Sequence, residues 1–249
     1  MRALARVTAV ADGRGGTRLA QVRGEPPLVL RHTPAPTGPA VVHLVGAAAG
    51  PLAGDDLRLE IEVGPGAALR LHSVAASVAL PSRVAAASRL TVAVAVAAGG
   101  RLDWLPEQLV AARGCHHVSA STVELAEGAR LVWREELICG RHGEAPGDAV
   151  IETSVTYAGR PLLRQSTAVG PAAAGWNGPA VLGGAKATGS LLRVEPGGPV
   201  PAARVVAPTA VLVPLATGPA SLVTATAPDA HTLRGYLDGA AVDLSGQAA

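Results

Sequence analysis

The chain has 249 residues and a formal net charge of +2, and 49% of its residues are apolar although only five are aromatic and none is phenylalanine. Its arginines are scattered rather than arrayed as a basic stripe, which argues against a nucleic-acid partner, and no uncharged apolar run is long enough to span a membrane. Thirty glycines and twenty prolines interrupt the chain too often for long helices, so the composition predicts a single all-β domain filled by Val, Leu and Ala.

The first stretch, MRALARVTAVADGR, breaks its apolar residues with Arg6 and Asp12 and so carries no signal-peptide core. A cytoplasmic protein is expected. Cys115 and Cys139 cannot build a disulfide framework, and in a reducing compartment they read as thiols or metal ligands. Residues 2–10, 17–22, 28–32 and 41–44 form short β-like runs, separated by GRGG, GEPP and TPAPTGP, where Pro34, Pro36 and Pro39 enforce an extended turn. LRLEIEV at 57–63 then alternates strictly, with Leu57, Leu59, Ile61 and Val63 on one face.

From here a plan repeats: a β-rich run, a glycine turn, and an alternating apolar run. The turn glycines are Gly66, Gly100, Gly128 and Gly159, spaced 28 to 34 residues apart. A loose period of that length predicts stacked units. A second loop follows each unit, PSR at 81–83, RGCHH at 113–117, GRHGE at 140–144 and AGWNG at 174–178, and these are expected to stack at one end of the sheets. After residue 170 the pattern loosens into the short strands of LLRVEP, ARVVAP, TAVLVPLA and SLVTATA. One helix is expected over 227–239, with Thr226 as N-cap and Gly239 as its close. The whole is a single domain, a repeated β body over 1–170 followed by a looser segment over 171–249. A layered β-helix-like solenoid of strand-turn-strand units, with one or two short helices near the carboxyl end, fits this better than a closed barrel, which stays the alternative.

Enzyme motifs are absent: there is no G-x-S-x-G, no G-x-x-x-x-G-K-[ST], no H-E-x-x-H and no C-x-x-C. Too few aromatic residues are present for a sugar-cleaving groove. The chain reads as a non-enzyme. Cys115, His116 and His117 share one loop, and Cys139, His142 and Glu144 lie in the equivalent loop one unit later. Thiolate and imidazole hold nickel, copper or zinc, and loops stacked roughly 5 Å apart would share an ion. The competing possibility is that Cys139 is core and the histidines are solvated. His32, His43, His72 and His231 read as isolated. Of the adjacent Glu135 and Glu136, one must face inward, and a buried carboxylate needs a partner or a wet passage. Arg134 and Arg141 are the obvious partners.

Four ordered segments, GGTRLAQVRGEPPLVLR at 15–31, GDDLRLEIEVGPGAALRL at 54–71, LDWLPEQLV at 102–110 and the EELICGRHGE run ending at Glu144, resemble the signatures of the urease accessory protein UreD (UreH) family. The resemblance implies a layered β-helix-like nickel chaperone that binds urease apoprotein and UreF, and the GTPase UreG through UreF. It further implies delivery of nickel to the urease active site, with the ion in transit and no cofactor held permanently. Carried onto matching positions, it places Asp55, Glu107 or Gln108, Arg141 and Glu144 near an internal passage or a partner surface. HSVAASVALPSR at 72–83 departs from the family pattern in lacking its Lys and Tyr, and the carboxyl half reads as short. A metal-storage or sensing protein using the Cys/His loops is the alternative function.

Overall fold

The computed structural model describes residues 1–34, 38–83, 86–199 and 201–246, so Pro36 lies outside the described residues. In chain order the strands are β1 (Arg2–Ala11), β2 (Thr17–Arg23), β3 (Leu28–Thr33), β4 (Ala40–Gly46), β5 (Asp56–Val63), β6 (Ala68–Ser73), β7 (Ser77–Ala79), β8 (Ser88–Val96) and β9 (Arg101–Leu105). They continue as β10 (Leu109–Ala111), β11 (His116–Leu125), β12 (Arg130–Cys139), β13 (Asp148–Tyr157), β14 (Arg160–Val169), β15 (Ala187–Val194), β16 (Arg204–Ala207), β17 (Ala210–Pro214) and β18 (Ala220–Ala227), and the chain closes with α1 (Ala230–Gly246).

These strands stack as a β-solenoid of about four turns. One sheet has the order β14-β13-β11-β8-β5-β1-β2, the other β16-β17-β18-β15-β12-β9-β6-β4-β3. The strand pairs read from the sequence around Gly66, Gly99 and Gly128 do not fold back as hairpins. Each crosses from one sheet to the other, so β5, β8 and β11 stack in parallel on one side while β6, β9 and β12 stack on the other. The fourth pair, β13 and β14 about Gly159, is by contrast an antiparallel hairpin within the smaller sheet.

The crossing turns show why glycine recurs. Gly66, Gly99 and Gly128 have φ of 64°, 68° and 77°, the left-handed region, where any other L-residue costs about 1–2 kcal/mol. Of the two glycines at the second turn, Gly99 takes the left-handed conformation. Gly100 is needed for another reason: a Cβ there would stand 2.9 Å from the Ala97 carbonyl and 3.0 Å from that of Gly64. Successive turns are hydrogen-bonded, Ala97 N–H to Val63 O at 2.8 Å, Ala126 N–H to Val96 O at 2.9 Å and Ala158 N–H to Leu125 O at 2.9 Å.

The main core lies between the sheets, where Leu59, Ile61, Leu69, Leu71, Leu102, Leu131 and Trp133 are fully buried. Trp104 and Trp133 stack there with ring centroids 5.3 Å apart. A second core joins the outer face of the larger sheet to α1 through Leu191, Leu212, Val223, Leu233 and Leu237. The helix begins and ends later than the sequence predicts. Asp229, not Thr226, caps it, since its Oδ1 accepts the Thr232 N–H at 2.7 Å, and the helix runs on through Gly239 to Gly246. No helix among the described residues is long and apolar enough to cross a membrane.

Candidate functional site

The larger sheet is not continuous. Strand β12 pairs with β9 over residues 130–133 and with the short β10 over 137–139, leaving residues 134–136 beside a break. The break arises because β9 ends at Leu105, before Pro106, which has no N–H to continue the ladder. The preceding coil breaks at the same level, between β6 and β7, and the stacked gaps are tied by Glu107 N–H to Ser73 Oγ at 2.8 Å and Ser77 N–H to the Gln108 carbonyl at 2.9 Å. Through this gap opens a cavity of about 500 Å³ between the sheets.

The cavity is lined by apolar side chains, among them Leu44, Val74 and Pro106, and by polar ones from both sheets, His117, Ser119 and Ser121 of β11 facing Glu135 of β12. Trp104 lines the cavity and stacks on Trp133 of the main core. Of the adjacent carboxylates, Glu135 faces the space between the sheets and Glu136 faces α1, as strand alternation requires. Thr153 Oγ1 donates to Glu135 Oε1 at 2.6 Å. Burial pushes the Glu135 carboxyl up, while the Thr153 hydroxyl and the approaching Trp133 indole favour its ionised form. That indole Nε1 is buried and outside hydrogen-bonding geometry.

Behind the break stands an ion-pair network that is legible in the sequence only in part. Arg234 of α1 bonds Glu136 through Nε at 2.5 Å and Nη2 at 2.8 Å, and reaches Glu107 at 3.2 and 3.3 Å. Arg134, itself buried, donates to the Pro106 carbonyl at 3.2 Å and pairs with Asp238 at 3.4 Å. Contrary to expectation the inward carboxylate, Glu135, takes neither Arg134 nor Arg141 but Thr153; Arg134 neighbours the outward Glu136, whose principal partner is Arg234, and Arg141 binds Glu144. Arg234 lies next to Leu233 on the helix, and that position is the one signal by which the sequence reveals it.

The loops at the opposite end of the units do stack. The Cys115 carbonyl accepts the Asp148 N–H at 2.8 Å, and Glu144 Oε1 accepts the Arg113 N–H at 3.2 Å. What joins them is Glu144, whose carboxylate also binds the Arg141 guanidinium at 2.9 and 3.0 Å; Arg141 holds it down to about 2. The Cys/His residues do not converge. His116 and His117 belong to strand β11 and so point to opposite faces, His116 exposed and His117 buried with Nδ1 2.9 Å from Ser88 Oγ. His142 is exposed. Cys115 and Cys139 are buried in an apolar cluster with Ala79, Ala111, Leu137, Ala149, Val169 and Leu182. No group of three or more His, Cys, Asp or Glu able to hold a metal forms among the described residues. Asp55 is buried too, its Oδ2 accepting the Leu52 N–H at 2.9 Å and its Oδ1 lying 2.5 Å from the Met1 amino nitrogen.

Two expected results follow from this geometry. Burial pushes both thiols up to about 11, so at pH 8 the folded protein is expected to release almost no chromophore from a disulfide thiol reagent. The chain unfolded in guanidinium should react promptly at both of its cysteines; fast labelling of the folded protein would show that the cluster opens. Burial likewise pushes His117 down from 6.5 to about 4. The unfolded chain then binds the extra proton first, so stability is full above about pH 6.5 and is lost as pH falls toward 4, by on the order of 3 kcal/mol. Urea unfolding across that window is expected to show this loss in the wild type and a shallower one in His117→Asn.

Comparison with known proteins places the chain in a family. The family model described as UreD urease accessory protein matches residues 2–242. The chain is 48% identical to urease accessory protein UreD of Streptomyces avermitilis, over 98% of each chain. It is 50% identical to urease accessory protein UreD 3 of Streptomyces griseus subsp. griseus, over 98% of this chain and 97% of that one. It is 47% identical to the UreD of Streptomyces coelicolor, again over 98% and 97%. The carboxyl half that reads as short is thus matched almost end to end by these relatives. The chain belongs to the UreD family of urease accessory proteins.

Proposed function

We propose that this protein is a non-enzymatic chaperone of urease maturation. It binds urease apoprotein and UreF, engages UreG through UreF, and passes nickel toward the urease active site in the cytoplasm, without nucleic acid or membrane as partner. Family membership supports the role in maturation. One observation carries the proposed passage of nickel: a cavity that enters through a break in one sheet and reaches Glu135, a carboxylate between the sheets. Nickel is cargo here, in transit and not a resident cofactor. Oxygen donors hold it loosely enough to release it, as a conducting site must. Storage through the Cys/His loops finds no comparable support, since both thiols are protonated and packed among apolar side chains.

Deleting the gene tests the role. Urease subunits are expected to accumulate at normal levels but poor in nickel, measured by metal analysis of the purified enzyme. A nickel-replete, fully active urease from that strain would sink the proposal. Pull-down of the tagged chain from native lysate should bring urease subunits and UreF with it.

A further inference from the structure

His43 and His72 read as isolated in the sequence, and the fold sets them side by side. Strands β4 and β6 are parallel neighbours with His43 directly opposite His72. Their neighbours Val42 and Leu71 are buried in the core between the sheets, so both imidazoles project from the outer face of the larger sheet. The ring centroids are 5.8 Å apart, with 23° between the planes. Two imidazoles bound to one ion through bonds of about 2.0–2.1 Å have centroids no more than roughly 6.5 Å apart. The observed separation is therefore within reach of a shared ion by side-chain rotation alone.

Thr33 Oγ1 lies 3.0 Å from His43 Nδ1, an outer partner of the kind that orients imidazoles around metals. Nε2 of His43 is left for a ligand, and the half-buried His72 ring lies beside the backbone of Leu105. Neither histidine lines the cavity between the sheets, so the pair is separate from the proposed passage. We propose that His43 and His72 form a surface site for one divalent transition-metal ion of the imidazole-binding class, copper, nickel or zinc, with water completing its coordination. No further His, Cys, Asp or Glu joins the pair among the described residues, and Arg70 and Arg134 are close enough to repel a cation. The site is accordingly weak and fast to exchange, with copper(II) held most tightly. This assignment does not depend on the role in urease maturation.

The test is a copper(II) titration of the full chain followed by electron paramagnetic resonance, with nickel(II) binding measured by calorimetry. The wild type is expected to show one ion carrying two imidazole nitrogens. Either His43→Ala or His72→Ala should remove the two-nitrogen signature and weaken binding at that site at least tenfold. A His116→Ala/His142→Ala double variant, which removes exposed imidazoles elsewhere, should leave it unchanged. A measurement on the wild type needs no variant to fold: substoichiometric copper(II) should broaden the imidazole proton resonances of His43 and His72 before those of the other five histidines. Persistence of the two-nitrogen signature in the His43→Ala/His72→Ala protein, or selective broadening of other histidines, overturns the site.

Discussion

Arg234→Ala is expected to destabilise the protein by about 3 kcal/mol or more, the cost of leaving a buried charge without its partner. The side chain of Glu136 is 1% exposed and its two oxygens are taken by Arg234 at 2.5 and 2.8 Å. Removing that guanidinium leaves Glu136 with Arg134, whose Nε is 3.6 Å away, beyond a good hydrogen bond. The same change frees Glu107 at the break in the sheet and loosens α1, whose remaining holds are the apolar contacts of Leu233 and Leu237 and the pair of Asp238 with Arg134. A double variant separates these contributions. Glu136→Met with Arg234→Met replaces a desolvated ion pair by apolar groups of similar length, and it should recover most of the loss. Urea unfolding followed by circular dichroism gives both values, and hydrogen exchange in α1 reports whether the helix opens first. A loss below about 1 kcal/mol for Arg234→Ala would show that Arg134 alone holds Glu136, and the network would not be the latch of the helix.

The parts of this molecule legible in its sequence are those that depend on alternation and on turns. LRLEIEV declares one buried face, and the glycines that cross between sheets recur because a left-handed residue is needed once per coil. Alternation also tells that one of Glu135 and Glu136 faces inward, but not which, because either register leaves apolar neighbours on both faces of β12. Both faces are buried here, one by the opposite sheet and the other by α1, and that is a fact of tertiary packing. The same cause hid Arg234, Thr153 and the His43–His72 pair, each of which acquires its partner from a strand or helix distant in the chain. The Cys/His loops were misplaced for a local reason. His116 and His117 already belong to a strand, where adjacent side chains diverge, so two histidines in sequence are not two ligands in space.

Ser121→Trp is expected to cut nickel loading of urease at least tenfold while leaving partner binding intact. Ser121 lies in the cavity wall, opposite Thr153 in the neighbouring strand, and Thr153 is the residue that holds Glu135. An indole there projects into open volume rather than into packed core, so the overpacking cost stays near the low end of about 1–3 kcal/mol. The side chains on the outer faces of the sheets are unchanged. Glu135→Gln complements it by keeping the bulk and the hydrogen bond to Thr153 while removing the negative charge, and it should slow loading without closing the space. Both are read by reconstituting urease activation with purified components and counting nickel per active site, alongside co-purification with UreF and the melting temperature of each variant. The combination discriminates between two failures. A folded Ser121→Trp protein that still captures UreF and yields nickel-replete urease would rule out the cavity as the route while the maturation role stands. A variant that retains its fold but loses UreF would instead place the partner surface at the mouth of the cavity, around Glu107 and the stacked breaks of the larger sheet.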